Sequence, residues 1–289
     1  MRDALRVCTL MVLVLLNAVS AAAQAKEPPD PPTLLVIYRE EVRPGKGAAH
    51  SANEQAWSAA FTKGHAPVQW LGMTTIAGPN EAWFLSGHES YAAFQKIENA
   101  MEANATLTAE GDKYSEKDGE LLNRTSTIIA RYRPNLSYGS KVAIPQMRYM
   151  QVDVVQVRPG HAAEFNEAWQ SIVASHAKAK MNEHWAVYTV ESGMAAGTYL
   201  FFYPHKSLDH LDGVPAMHTA AEYRDAVGES GRAKQTQMVK DGVASQQTLL
   251  FAFRPRMSLL SKDFIDQDPA FWTPKPPPAA ATKKAGDKQ

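Results

Sequence analysis

The tetrapeptide Val-Arg-Pro-Gly stands at Val42–Gly45 and again at Val157–Gly160, and its surroundings repeat with it. The first segment reads LLVIYREEVRPGKGAAHSANEQAW and ends at Trp57; the second reads YMQVDVVQVRPGHAAEFNEAW and ends at Trp169. Downstream, Trp70 answers Trp185, His88-Glu89-Ser90 answers His205-Lys206-Ser207, and Lys117-Asp118-Gly119 answers Lys240-Asp241-Gly242. Arg133–Ser137 (RPNLS) then answers Arg254–Ser258 (RPRMS). Matches in one order at nearly constant separation point to a tandem duplication, and this constrains the fold more than any single element. Copy one covers 33–138, a connector covers 139–146 and copy two covers 147–259. The remainder, 260–289, reads as a flexible Pro/Ala/Lys-rich tail.

Each copy opens with an apolar or alternating run, Leu34–Val42 or Tyr149–Val157, that predicts a strand. In the corner that follows, Pro suits the second position of a turn and Gly is free to take positive φ. Phe165, Trp169, Ile172 and His176 then recur at helical spacing, with Trp57, Ala60 and Phe61 in the same phase of copy one. Two strands joined by a Gly-containing loop come next, then a helical region beginning near Ser90 or Ser207, either of which can cap it. A closing strand, Thr127–Arg133 or Thr248–Arg254, completes the copy. The order is β-α-β-β-α-β, so the predicted fold class is α+β: two ferredoxin-like units whose sheets cover one another as a pseudo-dimeric barrel within one chain.

The strand, the V-x-P-G corner, the helix ending in Trp and the β-β-α-β remainder resemble the dimeric α+β barrel superfamily. Antibiotic-biosynthesis-monooxygenase-like and NIPSNAP-like domains are similar to each copy, so the likeness covers most of the chain. It implies a ligand space between sheet and helices or at the barrel centre. It also implies three functional options: a binding pocket for a small, partly aromatic ligand, a cofactor-independent or haem-dependent monooxygenase, or a protein-interaction module.

Balanced charge, with Lys+Arg and Asp+Glu at 30 each, gives no global field for nucleic acid or an anionic membrane. Residues 1–25 carry an apolar run, Val7–Val19, followed by small residues; this predicts a signal peptide cut between Ala23 and Ala25 and a periplasmic or extracellular product. No stable membrane insertion is expected after cleavage. Cys8 is the single cysteine and lies inside that signal, so the mature chain is held by its core rather than by disulfides.

No dinucleotide or phosphate-loop fingerprint and no H-E-x-x-H is present, so no metal site of standard spacing is expected. Strand parity puts Tyr149, Gln151 and Asp153 on one face of their strand and Met150, Val152 and Val154 on the other. The apolar face is assigned to the helices, which aims Gln151 and Asp153 at the opposite sheet, with Leu34, Val36 and Tyr38 in register in copy one. The ligand-pocket candidates are Tyr38, Gln151, Asp153, His184, Tyr188, Tyr203 and His218. His176 is read as a core histidine. His218 stands where copy one has Met101, on the helix from which haem-binding members of the superfamily supply a ligand. Haem is therefore the alternative to a cofactor-free protein.

Overall fold

The computed structural model describes residues 27–273; the expected signal peptide and the segment after 273 lie outside the described residues. The first half runs β1 (Leu34–Val42), α1 (Gly47–Lys63), β2 (Leu71–Ala77), β3 (Glu81–His88), α2 (Tyr91–Glu102), α3 (Ala105–Leu121) and β4 (Leu122–Tyr132). The second runs β5 (Tyr149–Val157), α4 (Ala162–Ala179), β6 (Ala186–Ser192), β7 (Thr198–His205), α5 (Asp209–Thr219), α6 (Ala221–Gln237) and β8 (Val243–Phe253). Both halves therefore follow the predicted order, except that the second helical region is split in two. Asn104 causes the break in the first half, because its side chain accepts from Leu107 N at 3.1 Å and starts a fresh helix.

The repeated tetrapeptide is a turn in both places. Lys46 N reaches Arg43 O at 3.0 Å and His161 N reaches Arg158 O at 3.1 Å, with Gly45 and Gly160 at φ +78° and +88°. The backbone leaves each corner in the same way, so α1 and α4 start in the same phase. His50 N bonds Lys46 O as Phe165 N bonds His161 O. Phe165 is therefore the counterpart of His50, and Trp169 stands at the place of Glu54 rather than of Trp57. The sequence match of Asn-Glu…Ala-Trp is displaced by one helical turn because the corner, not the Trp, sets the helix phase.

Within the halves the strand orders are β4-β1-β3-β2 and β8-β5-β7-β6. The sheets join edge to edge, β2 with β8 (Met73 opposite Phe253) and β4 with β6 (Ala130 opposite Val190), and close an eight-stranded antiparallel barrel. Closure leaves neither sheet with a free edge. Alternate residues of every strand fill the interior: Leu35, Ile37, Met73, Trp83, Ile128, Met150, Val152, Tyr188, Leu200, Phe202, Leu249 and Phe251 form one buried cluster. Each large apolar side chain so buried contributes about 1.5–3 kcal/mol relative to exposure. The barrel centre is thus a packed core.

That packing corrects the expected strand parity. Met150 and Val152 point into the barrel, and Gln151 and Asp153 lie on the outer face beneath the helices of the second half. Tyr38 likewise packs outside the barrel, with Ala82, Phe84 and Met257. The reason is solvation: a closed eight-strand interior offers polar side chains few partners, whereas the layer between sheet and helices can supply them.

The expected flexible tail needs correction as well. Residues 260–273 are packed: α7 (Lys262–Ile265) and α8 (Pro269–Trp272) fold over one barrel end. Trp272 is buried against Phe253, and its Nε1 donates to Pro145 O at 2.7 Å. Arg148 forms an ion pair with Asp268 and lies 4.0 Å from the Phe271 ring centre. The Phe-Trp pair at 271–272 has the apolar area to hold the segment down. Ser90 caps α2 as expected, its Oγ accepting from Ala93 N at 3.1 Å. Ser207 does not cap α5, and its hydroxyl pairs with Asp209 instead.

Candidate functional site

A cavity of about 650 Å³ lies between the outer face of β5 and β7 and helix α5. Its lining includes Gln151, Asp153, His184, Tyr203 and His218, five of the seven residues singled out in the sequence. The other two lie elsewhere. Tyr38 sits under the helices of the first half, where burial, with the Glu98 charge, pushes its phenol up to about 12. Tyr188 is inside the barrel, packed on Tyr132 and Phe202, with its hydroxyl donating to Pro32 O at 3.1 Å. Parity on β6 accounts for this, because Tyr188 and Val190 share the face that closes the core.

One wall is a network centred on Glu183. His176, on the buried side of α4, directs Nδ1 to Ile172 O at 2.9 Å and Nε2 to Glu183 Oε2 at 3.0 Å. His218, on α5, brings its Nε2 to the same oxygen at 2.7 Å. Tyr223 covers both imidazoles, 4.8 Å from the ring centre of His176 and 5.2 Å from that of His218. Burial alone would raise the Glu183 carboxyl, but hydrogen bonds from both histidines outweigh it and hold the group down to about 2. The Glu183 hydrogen bond in turn raises His218 against the opposing effect of burial. A spacing rule could not find this triad, because its members come from α4, the α4–β6 loop and α5. His176 was legible only as a buried histidine.

The opposite wall carries Asp153 and Tyr203. Burial raises the Asp153 carboxyl, and hydrogen bonds from Thr248, Gln151 and Gln246 only partly offset this; Gln151 Nε2 donates to its Oδ1 at 3.2 Å. Tyr203 is raised by burial and by the charges of Asp153 and Glu183. At the β7 end, burial and the neighbouring His210 lower His205 to about 4, and its buried Nε2 has no hydrogen-bond partner among the described residues. His184 lies at the rim, its Nδ1 3.0 Å from Gly139 O. The cavity thus offers a neutral imidazole, a carboxyl that keeps its proton more readily than usual, a phenol and a His–Glu pair able to exchange a proton.

Two groups among the described residues bring metal-type donors together: His176, Glu183 and His218 here, and Glu40, His50 and Glu54 in the first half. The Glu183 group is internally satisfied, since one oxygen receives both imidazoles. Haem ligation by His218 would require exchanging its bond to Glu183, just as a metal on His50 would require exchanging the bond to Glu40. The Nε2 that an iron would need is spent on Glu183, and taking it away would leave a buried carboxylate with His176 alone.

No known family profile matches the sequence, and none of the curated proteins compared is similar to it. Among solved structures, the chain is similar to a candidate monooxygenase from Fusobacterium nucleatum subsp. nucleatum, with 14% identity over 77% of this chain and 93% of that one and a TM-score of 0.52. It is also similar to an anthrone oxidase-like protein (12% identity, 79% and 94% of the chains, TM-score 0.49). A chlorite dismutase from Candidatus Nitrospira defluvii matches with 9% identity over 82% and 95% of the chains, at a TM-score of 0.43. The fold shared with the Fusobacterium structure is an α+β barrel, ferredoxin-like in each half, here with both halves in one chain.

Proposed function

We propose that the second half binds a small, partly aromatic ligand bearing a hydroxyl in the cavity between β5, β7 and α5. The observation that carries this reading is the convergence of Asp153, Tyr203, His205 and the His218–Glu183 pair on one cavity of about 650 Å³. That volume lies within the usual range for small-molecule sites, which combine apolar lining with a few placed polar groups. Here Met147, Leu211 and Val214 supply apolar surface, and Tyr203 offers a ring edge or face. His205, whose buried Nε2 has no partner among the described residues, adds an imidazole to the lining.

A second reading, oxygenation of that ligand, is favoured by His218. Its ring lines the cavity, is anchored by Glu183 and holds its proton to higher pH than a free imidazole does. Removing the proton of a phenolic hydroxyl makes the ring electron-rich toward dioxygen. The likeness to the Fusobacterium structure supports this reading at the level of the scaffold.

Thermal-shift titration with quinols and hydroxylated aromatic acids tests the binding claim. At least one compound is expected to raise Tm, and Val214→Trp, which fills the cavity from α5, is expected to weaken it tenfold or more, about 1.4 kcal/mol. Binding unaffected by Val214→Trp, or none across the panel, contradicts the assignment. Dioxygen consumption with a bound compound separates oxygenation from binding alone.

A further inference from the structure

The first half contains a second polar cluster, closed off beneath α1 and α3. Glu40 comes from β1, His50, Asn53 and Glu54 from α1, and Asp118 from the end of α3. His50, Asn53, Glu54 and Asp118 are 1%, 1%, 4% and 5% exposed. His50 Nε2 lies 2.7 Å from Glu40 Oε2 and 3.9 Å from Glu54 Oε1, and one donor atom each from Glu40, His50 and Glu54 falls within 4.8 Å of the others. Asn53 Nδ2 donates to Asp118 Oδ1 at 2.8 Å and to Tyr114 O at 3.1 Å, which turns the remaining oxygens inward. Among the described residues no protein donor reaches the buried Glu54 Oε1, Asp118 Oδ2 or Asn53 Oδ1; the Glu54 and Asp118 carboxyls face each other and can be joined only by a shared proton or a cation.

Three carboxyl groups share one imidazole and one carboxamide; of the nearby cations, Arg39 is committed to Glu81, Arg43 to Leu122 O and Gly119 O, and Lys117 acts on Asp118 alone of the three. Leaving three such groups ionised and buried costs several kcal/mol, so either retained protons or a bound cation must neutralise them. The equivalent place in the second half shows that the fold does not require polarity there. Val155, Phe165, Ala168 and Met238 fill it as a buried apolar cluster, with Trp169 packed on it.

We propose that Glu40, His50, Glu54 and Asp118 form a buried binding site for a first-row divalent cation. Mixed carboxylate and imidazole donors suit Mn²⁺, Fe²⁺ or Zn²⁺, and the carbonyl oxygen of Asn53 lies beside them. His50, Asn53, Glu54 and Asp118 are buried between β1, α1 and α3, so the role of the site is to stabilise the α1–α3 layer. This holds whether or not the second half binds a ligand.

Electron paramagnetic resonance of free Mn²⁺, titrated with the full chain after chelator treatment, provides the test. The wild type is expected to bind one Mn²⁺ per chain, with a rise in Tm. Glu54→Gln and, as a second variant, Asp118→Asn are expected to abolish both effects, each read beside its circular dichroism spectrum. Glu183→Gln is expected to keep them. Absence of Mn²⁺ binding by the wild type, binding retained in both first-half variants, or loss that follows Glu183→Gln would overturn the site. In the first of these outcomes, shared protons rather than a cation hold the carboxyl groups.

Discussion

Under α1 the first half places Glu40, His50, Asn53, Glu54 and Asp118 where the second half, under α4, places Val155, Phe165, Ala168, Trp169 and Met238. At the far end of the same helices the exchange runs the other way. His176, Glu183, His218 and Tyr223 of the second half stand where the first half has Phe61, Val68, Met101 and Leu107, all members of one apolar cluster. Each half therefore carries one polar well and one apolar plug, at opposite ends. Inside the barrel, by contrast, both halves supply a common core of apolar and aromatic side chains. The backbone demands hydrophobic filling where strands close on themselves and leaves the helix-covered layer free to specialise. The two wells also differ in how their charges are met: two imidazoles reach one oxygen of Glu183, whereas the carboxyl oxygens near His50 outnumber their donors.

Transplanting one half into the other breaks this comparison most directly. Replacing Glu40, His50, Asn53, Glu54 and Asp118 together by Val, Phe, Ala, Trp and Met copies the second half's plug. Exchange of buried charges for packed apolar side chains is expected to stabilise the chelator-treated protein by about 1–4 kcal/mol in chemical unfolding and to eliminate Mn²⁺ binding. A loss of stability would show that the first-half network is itself stabilising without a cation. A smaller effect separates the helix starts. Ser90→Ala removes the cap on α2 and is expected to cost about 1 kcal/mol, whereas Ser207→Ala, which removes no cap, stays within about 0.5 kcal/mol. Equal costs would mean that the two hydroxyls do the same work.

The barrel was legible because its signals are local and repeated: two corners, two apolar strand starts and matched turns. The helix phase was less so, since the Trp residues advertised one alignment and the corner geometry imposed another, one turn away. Strand parity was misread on β5 because each face must be covered and the sequence does not say by what. Of the cavity, Gln151, Asp153, His184, Tyr203 and His218 could be picked out, yet the residue that ties its wall together, Glu183, sits in a loop with no periodicity to mark it. The first-half cluster was invisible for a related reason. Its members lie on β1, α1 and α3, and only folding brings Glu40 beside His50 and Asp118 beside Asn53. The packed segment at 260–273 was hidden by the composition of the residues that follow it.

The contrast between the wells has opposite signs in pH. Glu183 is held at about 2 by His176 and His218, below the ordinary 4.5, so its contribution is present above pH 4.5 and disappears as pH falls through 2. Glu54 is pushed up to about 10 by burial and by the neighbouring Glu40 and Asp118, so in the cation-free protein its contribution is present below pH 4.5 and disappears as pH rises through 10. Thermal unfolding in chelator, from about pH 3 to about pH 10, of the wild type, Glu54→Gln and Glu183→Gln measures both limbs at once. The account predicts that Glu54→Gln flattens the alkaline limb alone and Glu183→Gln the acid limb alone. If either substitution flattened the other's limb, or neither changed the profile, the division between the two wells would be wrong.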